Sequence, residues 1–377
     1  MKLRSLLQKV LRGLPYLGKE IRAQVSDHTP IFIGKPRVVH ILRNAPCNAR
    51  CIMCEFGYRK GADFRALFKS PLTDDIFPTL LQQIHELGGR GTMISYTAGE
   101  PLMCRPMFDW LEQARKLSLD LRFTTNGYLV DEEMARQLVA ADMFNIGVSL
   151  ESLDPAINEQ IRPFPEGTAK TIRAIDLLLQ EKQKHRSRLS INIKCTISQI
   201  NIDAVVGILE RWGKIDGVIV TPQMFEVQRD MPPAIKDKLW LTDLGKLEAT
   251  MQRLKAMRNA GYNLNADDQA LDSFVRLYRD DPQRQSSFVH KTVEDLNGHG
   301  CNIGTDNLFI VNGEVKLCPY YPALGNVLTD RATLKDMWYS EKAQKIRADI
   351  KRCRLLCTLS CLRRVPLSHK IKTFLKM

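Results

Sequence analysis

The chain has 377 residues, 44% of them apolar, and a formal net charge of +13; this excludes a disordered or collagenous chain and leaves room for a catalytic domain plus an accessory unit. The charge sits at the ends: residues 1–22 carry six Lys/Arg against Glu20, residues 341–377 carry eleven against Glu341 and Asp349, and the stretch between them is close to neutral. A nucleic-acid enzyme would spread positive charge over its cleft, so that class is disfavoured.

In chain order, Leu3, Leu6, Leu7, Val10, Leu11 and Leu14 recur at helical spacing with Lys2, Arg4, Lys9 and Arg12 between them. They predict a basic amphipathic helix ended by Pro15, suited either to packing on the body of the protein or to an anionic membrane surface. The C-terminal stretch 362–377 has the same character. No secretory signal precedes the ten cysteines, and no run reaches the roughly 20 apolar residues of a membrane span. The expected compartment is therefore a reducing cytoplasm, with peripheral attachment at the inner membrane face as an option.

Short apolar runs at 37–44, 92–98, 119–126, 144–152, 190–198 and 217–223 alternate with amphipathic helical stretches. The clearest helix follows Thr73, a candidate N-cap, with Ile76, Leu80, Leu81, Ile84 and Leu87 on one face and Gly88-Gly89 as its stop. Six strand–helix repeats predict a parallel sheet with crossover helices, best fitted by an α/β fold with a partial (β/α)6 barrel. Within 190–198, Ile191, Ile193, Cys195 and Ile197 alternate with Asn192, Lys194, Thr196 and Ser198; within 144–151, Phe144, Ile146, Val148 and Leu150 alternate with Asn145, Gly147, Ser149 and Glu151. Helices should cover the aliphatic rows, leaving a polar row turned inward, as suits a barrel that holds a polar ligand.

Residues 224–300 read as a helical or irregular linker or substrate region. Beyond them, NLFIV-NG-EVKLC (307–318) predicts a hairpin with a type I′ turn at Asn-Gly. The expected division is a basic segment 1–36, a core 37–223, the linker 224–300, a small hairpin-plus-helix cluster-binding module 301–361 and the tail 362–377.

Just after the first predicted strand, PCNARCIMC sets Cys47, Cys51 and Cys54 in a C-x3-C-x2-C pattern. Three thiolates on one loop suit three irons of a cubane cluster; a zinc site would want a fourth nearby ligand, and none stands out. The motif resembles that of the radical S-adenosylmethionine superfamily, in particular members with a C-terminal SPASM or twitch-type auxiliary domain. TAGEPL (97–102) is similar to the family's Gly-Gly-Glu-Pro segment, with Ala98 in place of the first glycine, and FTTNG (123–127) and VSLES (148–152) to its third and fourth strand ends.

The resemblance implies a 4Fe–4S cluster on Cys47, Cys51 and Cys54 that binds S-adenosylmethionine, with Gly99, Glu100, Asn126, Ser149, Glu151 and Arg162 contacting that cofactor. It further implies cleavage to a 5′-deoxyadenosyl radical, hydrogen abstraction from a substrate C–H bond and an electron donor of the flavodoxin or ferredoxin type. Cys301, Cys318, Cys353, Cys357 and Cys361 form the C-terminal set, read as ligands of a second, auxiliary 4Fe–4S cluster with one thiol to spare and with structural zinc as the rival occupant. Cys104, after the Gly-Glu-Pro turn, is a candidate hydrogen-atom donor to a substrate radical, whereas Cys195 reads as a packing residue. The expected reaction is oxidation or epimerisation of a small sugar-like or lipid-linked substrate. Alternatives are a maturase acting on a ribosomally made peptide and a non-enzymatic, membrane-associated zinc scaffold.

Overall fold

The structure, a computed structural model, describes residues 33–228, 230–280 and 303–352. Each predicted run in the first half becomes a strand: β1 Val38–Leu42, β2 Met93–Thr97, β3 Asp120–Thr125, β4 Asn145–Ser149, β5 Ser190–Ile197 and β6 Val218–Met224. They pair in parallel in the order β6-β5-β4-β3-β2-β1. Each strand lies beside its sequence neighbour, as an open (β/α)6 barrel requires.

Period-two alternation assigns the faces. Along β5, Ile191, Ile193, Cys195 and Ile197 are fully buried, while Asn192, Lys194 and Thr196 are half-buried. The aliphatic side meets the helices. The helix Phe77–Gly88 buries Leu80, Leu81, Ile84 and Leu87, and Phe77 stacks on Trp110 of the helix Met107–Lys116 with ring centres 3.9 Å apart. Thr73 precedes a 3₁₀ turn, Asp74–Ile76, and its side chain makes no capping bond; the α-helix starts at Phe77 with Pro78 in its first turn. Phe144 departs from the expected alternation. It lies ahead of β4 and is 45% exposed, with the Arg122 guanidinium 4.7 Å above its ring.

The linker is more regular than its composition suggested. It holds the helices Pro233–Leu239, Leu244–Asn259 and Asp268–Asp280. They dock at the β6 edge through a Val220–Leu264 bridge and a 2.7 Å bond from the Tyr278 hydroxyl to the Phe225 carbonyl. A covered edge cannot recruit another strand.

The hairpin forms as predicted, β7 Asn307–Val311 and β8 Glu314–Lys316, with Asn312 at φ 49° and Gly313 at φ 99°. Its position was not foreseen. β7 pairs in parallel with β1, Val38 with Asn307 through Leu42 with Val311, so hairpin and barrel share one nine-stranded sheet ending in β9, Gly325–Asn326. The seam is held by an Arg37–Asp306 ion pair, by His40 stacked on Phe309 at 4.6 Å and by a 2.9 Å bond between His40 Nε2 and Asn307 Oδ1. The helices Leu334–Tyr339 and Glu341–Lys351 close this end, the first with a Thr333/Asp336 capping box. Among the described residues no helix is long and apolar enough to cross a membrane. The N-terminal amphipathic segment, Cys301, Cys353, Cys357, Cys361 and the basic tail lie outside the described residues.

Two predictions concern the seam. Burial pushes the His40 imidazole down to about 4, against 6.5 normally, and the Asn307 bond only partly opposes it. The unfolded chain therefore takes up this proton first, and stability present above pH 6.5 should fall by about 3 kcal/mol as pH drops to 4. Urea unfolding of wild type and His40→Gln across that range checks it; the variant's curve should be flatter. Gly313→Ala should cost about 1–3 kcal/mol because its φ of 99° strains any side chain, and a Cβ would stand 2.8 Å from Leu328. The midpoint of urea unfolding measures that loss.

Candidate active site

The carboxyl ends of β1 to β5 converge on the loop after β1. That loop carries Cys47, Cys51 and Cys54, with Cys51 buried and the other two half-buried as free thiols. Its shape comes from local bonds, Ala49 N–H to Cys47 Sγ at 3.4 Å and Cys54 N–H to the Cys51 carbonyl at 3.0 Å. The turn Glu55–Tyr58 packs so closely behind it that a Cβ on Gly57 would lie 2.2 Å from the Cys51 carbonyl oxygen. Burial pushes the Cys47 thiol up to about 12 and raises Cys54, and neighbouring negative charge adds to both. Such a set carries thiolates only where a cationic centre compensates them.

Among the described residues, no three His, Cys, Asp or Glu side chains are gathered as a single-ion site. Thiolates around one zinc would stand about 3.8 Å apart. Three soft sulfur donors on one desolvated loop fit a cluster.

The loop is clamped from β2. A Cβ on Gly99 would meet the Pro46 and Ala45 carbonyl oxygens at 2.2 and 2.3 Å, so only glycine allows this approach. The next residue, Glu100, donates its N–H to the Pro46 carbonyl at 2.8 Å. Its carboxylate is fully buried and accepts from the Thr125 hydroxyl (2.7 Å), the Asn126 N–H (2.8 Å) and the Leu102 N–H (3.1 Å). Burial raises its pKa, and these three bonds oppose the rise. Asn126 extends the clamp, its Nδ2 donating to Asn48 Oδ1 at 2.7 Å.

A second clamp comes from β4. Glu151, fully buried, accepts from Arg162 Nε at 2.8 Å and from the Thr196 N–H at 2.6 Å, and Arg162 Nη2 stands 2.6 Å from the same carboxylate. Arg162 Nη1 reaches Cys51 Sγ at 3.3 Å, and the Ile52 N–H bonds the Ile161 carbonyl at 2.9 Å. Burial works against the guanidinium charge, but the Cys51 sulfur and Glu151 outweigh it and keep Arg162 protonated. Asn158 braces the β4 end by accepting from the Glu151 and Ser152 N–H groups.

The structure thus joins Cys47, Cys51, Cys54, Gly99, Glu100, Asn126, Glu151 and Arg162 in one network. Ser149 ends β4, half-buried, in register with Lys194. Cys104 stands apart. It bonds the Tyr96 hydroxyl at 3.3 Å, and Tyr96 packs edge-on against Phe77 and Trp110 in the helix layer, away from the polar inner face. Cys195 is core, and Cys318 is the one member of the C-terminal set among the described residues. Asn48 and Asn158 were not singled out from sequence, whereas Thr196 was read only as part of the inward polar row and Thr125 only within FTTNG; each bonds a predicted site residue.

Removing the arginine should expose the cost of the second clamp. Arg162→Leu leaves Glu151 charged and unpaired in the core, and should lower the stability of the cluster-free chain by about 3–5 kcal/mol. The double variant Arg162→Leu/Glu151→Leu should recover part of it in the same urea titration.

The radical SAM superfamily domain matches residues 45–194, and an iron–sulfur cluster-binding domain of the SPASM type matches residues 301–362. The chain is 21% identical over 323 residues to the AdoMet-dependent heme synthase of Methanosarcina barkeri, covering 83% of this chain and 84% of that protein. It is 35% identical over 119 residues to the GTP 3′,8-cyclase of a Nostoc species, covering 30% of this chain and 34% of that protein. The fold of Streptococcus suis SuiB, solved with S-adenosylmethionine bound, matches at TM-score 0.60 and 16% identity over 92% of this chain and 78% of that one. These domains imply a 4Fe–4S cluster with S-adenosylmethionine and auxiliary iron–sulfur ligation at the C-terminal end. The chain therefore carries a radical S-adenosylmethionine superfamily domain and, beyond it, a SPASM-type iron–sulfur domain.

Proposed function

We propose that this protein starts hydrogen-abstraction chemistry on a small polar substrate, sugar-like or lipid-linked, and carries out its oxidation or epimerisation. The observation that carries the reading is the interlock of the cysteine loop with Gly99 and Glu100 at the carboxyl edge of the sheet. When bound, the reduced cluster and S-adenosylmethionine supply a 5′-deoxyadenosyl radical able to take hydrogen from an unactivated C–H bond. Cys47, Cys51 and Cys54 would be the residues that hold the cluster. Glu100 is oriented by three donors and keeps acceptor capacity on Oε2 for the cofactor's amino group. Arg162 pairs with Glu151 and donates to the Cys51 sulfur.

The inner row supports a polar substrate. Asn192, Lys194 and Thr196 of β5 line it, and Thr221 bonds Asn192 at 2.6 Å and Asn265 at 3.1 Å. The basic terminal segments fit a substrate carried at an anionic lipid surface. A peptide substrate is the second reading, favoured by the fold shared with SuiB, solved bound to its precursor peptide SuiA at TM-score 0.58.

Anaerobic reconstitution tests the proposal. With dithionite, wild type should convert S-adenosylmethionine to 5′-deoxyadenosine, and Cys51→Ala should lose that activity together with about four irons per chain. Deuterium passing into 5′-deoxyadenosine from a labelled sugar, and not from a labelled peptide, would decide between the two substrates. Wild type holding zinc and forming no nucleoside would refute the enzyme.

A further inference from the structure

The Tyr128 side chain makes no bond in the network described above, yet it lies beside it. Its N–H donates to Asn126 Oδ1 at 2.9 Å, and its ring stacks on Phe164 with centres 4.2 Å apart. Gly167 stands behind it, where any side chain would begin 3.1 Å from the phenolic oxygen. The ring is thereby fixed from two sides. Its hydroxyl oxygen is buried and has no hydrogen-bond partner. The charged groups that act on it are Arg162, Cys51, Cys47 and Glu151, all members of the cysteine-loop network. Burial pushes the phenol up to about 12, so at neutral pH it is a donor.

A buried donor without an acceptor costs about 1–3 kcal/mol. The surrounding protein offers little relief. Arg162 only donates, and neither Glu151 nor any other described acceptor forms a hydrogen bond with the hydroxyl. The missing acceptor is best supplied by a ligand. We infer that the Tyr128 hydroxyl donates a hydrogen bond to an oxygen of bound S-adenosylmethionine, making Tyr128 a cofactor-binding residue. This rests on the proposed function.

The test compares Tyr128→Phe with wild type as full-length, reconstituted protein. Equilibrium dialysis with labelled S-adenosylmethionine should give a Kd roughly tenfold higher for the variant, the loss expected for one hydrogen bond to a charged or strongly polar group. The cluster's midpoint potential measured without the cofactor should be unchanged. Thermal unfolding of the cluster-free chain should be unchanged or shifted upward, since no protein bond is lost. Equal affinities in variant and wild type would overturn the inference. A shifted cofactor-free potential would assign the bond to the cluster, and a lowered unfolding temperature would assign it to the protein; either contradicts it. Wild type that fails to bind S-adenosylmethionine would sink the functional reading itself.

Discussion

A single buried carboxylate joins the parts of the site. Glu100 leaves water entirely, a cost of several kcal/mol for an isolated charge, offset by two hydrogen bonds from the end of β3 and one from Leu102 in the turn that follows Glu100 itself. Its own N–H holds the Pro46 carbonyl. One residue therefore fixes the distance between the second strand, the third strand and the cysteine loop. Gly99 makes the arrangement possible by leaving no atom where the loop carbonyls must pass. The remaining site residues are attached to this frame.

The second frame is electrostatic. Arg162 is shared between a carboxylate and a thiol, and it links β4 and β5 to the cysteine loop through Glu151 and Thr196. The neighbouring thiols are raised by burial, so the apo loop resists ionisation and favours a positively charged occupant. Rigid placement on strand ends, with bracing by Asn126 and Asn158, is what a reactive radical intermediate demands. The same strands turn a polar row, Asn192, Lys194 and Thr196, to the face opposite the buried aliphatic row.

Features with a period or a spacing were legible in the sequence. The six strands followed from alternation, the hairpin from Asn312-Gly313, and the cysteine loop from its spacing after an apolar run. What stayed hidden had no local signature. The parallel pairing of β7 with β1 joins segments far apart in sequence. Asn158 looks like an ordinary polar position of an amphipathic helix until the fold buries it against the Glu151 and Ser152 N–H groups. Cys104 was drawn toward the cavity by its place after the Gly-Glu-Pro turn, but the Tyr96 hydroxyl holds it in the helix layer. Phe144 reads as a core residue by alternation and is instead capped at the surface by Arg122.

The central claim is that the cysteine loop and the Gly99–Glu100 turn form one interlocked cofactor site. Gly99→Ala tests it most directly, because the added methyl group would stand 2.2 Å from the Pro46 carbonyl and force the two loops apart. The measurement is iron content and 5′-deoxyadenosine formation after anaerobic reconstitution. The account predicts loss of the nucleoside and of about four irons per chain, with the C-terminal iron retained. Full iron loading with wild-type nucleoside formation would contradict it.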